Sequence, residues 1–314
     1  MDAIRWVQNR HMGTSVDNSS NRPVAGVIWM LVTGLNFVAV TAIVKYLGDD
    51  IPPAQSAFLR YVLGLVFLLP MIRSIRSAHL TKRQLGLFTL RGLTHAMAVI
   101  LWFFAMTRIP LADLTAMNYL NPVYVTILAA IVLGEGLPPR RLAAVIVALL
   151  GALVILRPGM RAIEPGHIAM LGTAALFAVG YLTAKILSTE VPASVVVGML
   201  NIIVTIALLP FALAVWVTPD LTDLMWLFLV ACFATAGHFS MTFAFAAAPL
   251  TVTQPVTFLQ LVWAVLLGAI VFGEPIDAMV IVGGTMILAA VSFITWREAL
   301  ARRQITPAVP DTKV

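Results

Sequence analysis

The sequence predicts an all-α integral membrane fold: ten transmembrane helices arranged as two inverted five-helix repeats. Three observations predict it. Of 314 residues, 61% are hydrophobic and only 11% are charged, and the mean hydropathy is +0.97. Soluble domains average about 45–50% apolar and about 25% charged residues. Apolar runs follow one another along the chain, each near the roughly 20 residues that cross a hydrocarbon core about 30 Å thick. Finally, IVLGE at 131–135 returns as IVFGE at 270–274.

The apolar runs occupy 24–46, 54–73, 84–106, 112–133, 140–156, 166–186, 194–216, 222–246, 250–272 and 277–296. Short connections such as GDDIPPAQ (48–55), TRIPLAD (107–113) and GEGLPPRR (134–141) leave no room for a soluble domain. A transmembrane barrel would show alternating segments of about 10 residues, not continuous apolar runs. Residues 1–23 read as a polar cytoplasmic tail ahead of an uncleaved first span, since a cleavable signal has a shorter apolar region ending at small residues. Residues 24–159 form the first repeat, 160–297 the second, and 298–314 a cytoplasmic C-terminal tail. Cys232, the single cysteine, excludes a disulfide framework and a thiol metal site.

Lys and Arg accumulate in short cytoplasmic loops. With the N-terminus inside, only Lys45, Arg108, Arg157 and Arg161 of the 20 basic residues face out, and Arg60 and Arg91 lie within spans. Both termini are therefore expected in the cytoplasm. The net charge of +6 reads as topology and contact with acidic lipid, not as a nucleic-acid surface.

Shifting residues 104–135 by 139 positions lays FAMTRIPLADLTAMNYLNPVYVTILAAIVLGE over FAFAAAPLTVTQPVTFLQLVWAVLLGAIVFGE without a gap. Twelve of the 32 positions match, among them Pro110/Pro249, Gly134/Gly273 and Glu135/Glu274. We read an internal duplication. The matched phrases end the fourth and ninth spans, five crossings apart, so equivalent helices run in opposite directions. Inverted repeats are a recurring basis of secondary carriers, whose halves rock around a site near the midplane.

Several stretches carry a resemblance to a known family. AFLRY (57–61), LRGL (90–93), LADLTAMNYLNPVYVTILAAIVLGE (111–135), RPG (157–159) and LTVTQPVTFLQLVWAVLLGAIVFGE (250–274) make the chain resemble the drug/metabolite transporter superfamily, of the type with two EamA domains. The likeness covers about residues 24–297. It implies a carrier for a small organic metabolite, such as an aromatic amino acid, S-adenosylmethionine or riboflavin, in a bacterial cytoplasmic membrane. It also implies no cofactor and no metal. Membrane lipid is the other expected partner, nucleic acid is not, and a monomer or a homodimer would serve.

Candidate site residues come from polar and aromatic groups inside the spans, because such groups are costly in lipid and usually face the bundle interior. Thr115, Asn118, Tyr119 and Asn121 share one broad face of the fourth span. Gln254 and Gln260 lie over Thr115 and Asn121 in the ninth. Interhelical hydrogen bonding is the competing reading for these groups. Pro122 removes a helical hydrogen bond and frees the carbonyl of Asn118, which fits a hinge or a packing kink. Pro255 frees Thr251 close to a helix start, where little disruption is expected. His95 and His238 sit deep in the third and eighth spans, four residues out of register. Trp102 and Trp263 offer flat faces for an aromatic or sulfonium solute. Arg60 and Arg91 either snorkel to the membrane faces or attract an anion on the solute. Glu135 and Glu274 read as interfacial carboxylates beyond C-terminal glycines, with gating as the second reading. No Asp or Glu lies mid-span, so coupling rests on the histidines or the carrier is uncoupled. The alternatives are a channel, or less readily a receptor or an enzyme. No HExxH, GxSxG or CxxC motif supports an enzyme.

Overall fold

The structure is a computed structural model, and it describes residues 22–133, 138–188, 190–248 and 250–305. It is a bundle of helices: α1 (Pro23–Leu47), α2 (Pro53–Ser77), α3 (Lys82–Met106), α4a (Leu111–Asn118) with α4b (Asn121–Leu133), and α5 (Pro139–Leu156). The second set is α6 (Pro165–Ser188), α7 (Ala193–Ala214), α8 (Leu221–Ala247), α9a (Leu250–Thr253) with α9b (Phe258–Phe272), and α10 (Ala278–Ile305). Among the described residues, 8 helices are long and apolar enough to cross a membrane. Segments α4 and α9 fall outside that group because each is broken.

The breaks follow the prolines. α4a stops at Asn118 and α4b restarts at Asn121, just ahead of Pro122, which has no N–H to offer the Asn118 carbonyl. In α9 a 3₁₀ stretch, Gln254–Thr257, contains Pro255. The disruption there is larger than expected from the sequence, because the four residues preceding it make barely one turn of helix to resist it. Helix starts are conventional. Thr81 and Gln84 form a capping box on α3, as Asp220 and Asp223 do on α8. α10 runs past the apolar stretch to Ile305, since Glu, Ala, Leu and Arg sustain a helix beyond the lipid-facing residues.

Packing pairs the two halves in an exchanged manner: α1 lies along α8, α3 along α6, and α5 crosses α10. Small residues set these contacts. A Cβ on Gly26 of α1 would meet Ala248 and Ala244 at the end of α8, and one on Gly166 of α6 would meet Ile109 and Ala105 at the end of α3. The 139-residue shift takes Ala105 and Ile109 onto Ala244 and Ala248. The same interface is thus used twice. Gly151 and Gly283 bring α5 and α10 together backbone to backbone, as close helix packing in membranes requires. Thr33 of α1 bonds Ser240 of α8 at 3.0 Å, while Thr173 of α6 donates to the Ala98 carbonyl of α3 at 3.4 Å.

Candidate solute site

α2 delivers Arg60 and Tyr61 to the flank of α3. The Tyr61 hydroxyl lies 2.8 Å from His95 Nε2, and the Arg60 guanidinium carbon sits 4.3 Å from the Tyr61 ring centroid. His95 packs, tilted, on Phe177 of α6 with ring centroids 4.9 Å apart, and Phe177 also lies 6.4 Å from Trp102 and 6.3 Å from Tyr181. Arg91, one turn before His95, donates to the Val196 carbonyl of α7 at 3.1 Å, and its Nε is buried without a partner. Trp102 Nε1 is likewise buried and unbonded.

A matching pair stands across the bundle, where His238 of α8 meets the edge of Phe37 of α1 at 5.3 Å. Each histidine therefore packs on a phenylalanine from the first helix of the other half. The four-residue offset between them is about one helical turn, so both point the same way from equivalent helices. Tyr181, 50% exposed, and His238 both keep accessible surface. A groove of about 390 Å³ also lies between α5 and α10, lined by Arg140, Ala143, Ala144, Val147, Ala289, Ala290 and Phe293. Its open, apolar shape suits a lipid chain better than a polar metabolite.

The broken helices meet each other. Tyr119, at the α4 break, donates to the Thr257 carbonyl at the α9 break at 2.7 Å. Asn121 donates to Asn118 at 2.9 Å, leaving Asn121 Oδ1 buried and unbonded. Thr115 is buried, and Gln260 packs on Gly34 of α1. Trp263 is 38% exposed on α9b and joins no ring cluster among the described residues. Glu135 and the Gln254 side chain lie outside the described residues.

One end of the bundle is tied by charge. Lys45 of α1 forms an ion pair with Glu274, which follows α9b, and donates to the Ile109 carbonyl at 2.8 Å. The other Glu274 oxygen accepts the Leu111 N–H of α4a at 2.9 Å. Gly273, with φ of +63°, caps α9b in the left-handed region and turns the chain so that Glu274 reaches back over Gly268. Alongside, buried Asp113 bonds His167 at 2.8 Å and pairs with Arg161, while Arg157 pairs with Asp277. Burial works to raise the Asp277 carboxyl. The Met279 N–H, Arg157 and the Val280 N–H outweigh it and hold the group below the usual carboxylate range. Arg108 and Asp49 add a pair at 3.1 Å, and at the opposite end Arg83 pairs with Glu190 at 2.6 Å.

The structure thus joins His95, Trp102, Arg60 and His238 to partners that sequence reasoning passed over: Tyr61, Phe177 and Tyr181 for the first three, and Phe37 for His238. A signal existed. At a shift of 140, Gly26, Thr33 and Phe37 fall on Gly166, Thr173 and Phe177, which marks the first helix of each half as an equivalent site-facing element.

An all-α bundle crossing the membrane, with polar groups gathered between two similarly packed halves, is the build of a small-molecule transporter rather than an enzyme. The chain belongs to the EamA-like transporter family, whose profile matches twice, over residues 24–157 and 164–296. Two EamA-like repeats therefore make up most of the chain. It is similar to the riboflavin transporter of Vibrio cholerae serotype O1, 27% identical across 90% of this chain and 97% of the relative. The S-adenosylmethionine uptake transporter of Rickettsia prowazekii is 24% identical across 87% and 93%. The pseudopaline exporter CntI of Pseudomonas aeruginosa is 25% identical across 85% and 94%. Among solved structures, one described as "Crystal structure of protein" superposes with a TM-score of 0.55 at 17% identity, covering 88% of this chain and 99% of that one. At that identity the likeness concerns fold alone.

Proposed function

We propose that this protein is a secondary carrier that moves a small organic metabolite across a bacterial cytoplasmic membrane by alternating access. Ten spans form two inverted five-helix repeats, with both termini in the cytoplasm. The carrying observation is the crossed pair of contacts His95–Phe177 and His238–Phe37, in which a histidine of each half meets the first helix of the other. A solute between them touches Trp102, His95, Tyr61 and Tyr181. The broken helices bring Asn118, Tyr119 and Asn121 toward it, with Pro122 as the hinge. The ionic ties at the Glu274 end lie on the outer face in this topology, so the structure corresponds to a carrier closed to the outside. Riboflavin, S-adenosylmethionine and aromatic amino acids are the solutes to try first, because relatives named for the first two span nearly the whole chain.

Counterflow in proteoliposomes tests this reading. Vesicles loaded with one unlabelled solute should accumulate the labelled solute transiently, with saturation, as only a carrier does. Linear flux without counterflow indicates a channel. Trp102→Ala and Asn118→Ala proteins that fold normally yet transport at the wild-type rate refute the site.

A further inference from the structure

We propose that the solute carries an anionic group, a carboxylate or a phosphate, and that Arg60 and Arg91 hold it; this rests on the carrier reading. Each arginine lies several residues inside its span: Arg60 two turns into α2, Arg91 more than two turns into α3. At 1.5 Å per residue, both are roughly 10 Å or more from the nearer helix start. An uncompensated cation at such depth is expensive, and spans that carry one normally supply its partner. Among the described residues no carboxylate pairs with either arginine. Every Asp and Glu of the sequence falls in a tail, a connection or the end of a span. Among the described residues, the carboxylates that form ion pairs do so with Lys45, Arg83, Arg108, Arg157, Arg161 and His167.

The two guanidinium groups are also left short of hydrogen bonds. Arg60 is only 9% exposed, and the contact it makes is the face of the Tyr61 ring. Arg91 has its Val196 bond and a buried, unbonded Nε. Guanidinium presents a planar fork of five donors matched to carboxylate and phosphate oxygens, and the donors that Arg60 and Arg91 do not give to the protein suit such a group. Tyr61, which packs against the Arg60 guanidinium, meets His95 at 2.8 Å, and His95 lies one turn after Arg91 on α3. The anion therefore sits next to His95. The aromatic surfaces of Trp102, Phe177 and Tyr181 lie beside it for the rest of the solute. The same geometry disfavours a solute whose only charge is positive.

Matched probes test the proposal on the full-length protein in phosphatidylcholine nanodiscs: tryptophan against tryptamine, riboflavin 5′-phosphate against riboflavin, and indole-3-propionate against indole-3-propanol. Binding is followed by thermal shift and calorimetry. The anionic member of at least one pair should bind ten-fold or more tightly, about 1.4 kcal/mol, and the winning pair distinguishes carboxylate from phosphate. Arg60→Gln and Arg91→Gln should each remove the preference, and Arg60→Lys and Arg91→Lys, which keep the charge, should retain part of it and guard against misfolding. Equal binding within every pair, no binding of any probe, or a preference that survives both Gln variants overturns the proposal. So does stabilisation that requires added phosphatidylglycerol and no soluble anion, which assigns the arginines to lipid headgroups. Anion preference without counterflow of the bound probe would instead refute the carrier reading and leave the anion site standing.

Discussion

Neutralising Glu274 should loosen the contact between the two repeats at one end of the bundle. Its carboxylate does two things at once: one oxygen pairs with Lys45 of α1, and the other accepts the Leu111 N–H at the start of α4a at 2.9 Å. The side chains of Lys45 and Glu274 are 17% and 12% exposed. Exposed pairs contribute about 0–1 kcal/mol, whereas removing one member of a buried pair costs about 3–5 kcal/mol. This pair is nearer the buried case. However, its Glu274 oxygen lacks the alignment of a hydrogen bond, and Glu274→Gln keeps an acceptor for Leu111. A loss of about 2 kcal/mol follows, roughly a 30-fold change in an equilibrium at 1.4 kcal/mol per decade. Lys45→Met should cost a similar amount. The double variant should cost less than the sum, with a coupling of about 1–2 kcal/mol. Thermal unfolding in nanodiscs, followed by tryptophan fluorescence, measures the cycle. A coupling below about 0.5 kcal/mol would show that the pair behaves as a solvated surface contact and would refute the reasoning.

Tyr61→Phe removes the hydroxyl that meets His95. Interhelical hydrogen bonds in membranes average only about 0.6 kcal/mol, so melting should change little while solute uptake falls several-fold; unchanged uptake would make the bond purely structural. Gly26→Val and Gly166→Val overfill the equivalent α1–α8 and α6–α3 contacts, and each should lower stability by about 1–3 kcal/mol, read as lost monodisperse protein and lower melting temperature. Asp277 has a folded-state pKa below the ordinary aspartate value of 3.8, so its contribution is complete above that value and disappears as pH falls through the lower one. Melting temperature should accordingly decline from about pH 4 downward, and Asp277→Asn should show a shallower decline than wild type.

Much of this was legible in the sequence because it depends on neighbours along the chain. Hydropathy follows from composition, Pro122 breaks its own helix whatever surrounds it, and Gly273 ends α9b because only glycine enters the left-handed region at little cost. The duplication is likewise a property of the letters, and polar or aromatic groups inside apolar spans put His95, Trp102, Asn118 and Arg60 among the candidates. The partners of those residues were not legible. Phe177, Tyr181 and Phe37 read as ordinary apolar spans, and the Lys45–Glu274 pair joins residues more than two hundred positions apart. Which interior groups meet is fixed by α1 lying on α8 and α3 on α6. Close glycine contacts set that exchange in three dimensions, and no periodicity within a single helix encodes it. The sequence by itself determined a membrane bundle of two related halves. The tertiary structure decided which faces of those halves confront one another, because side-chain partnership depends on helix rotation and crossing, and these are settled by packing between distant segments.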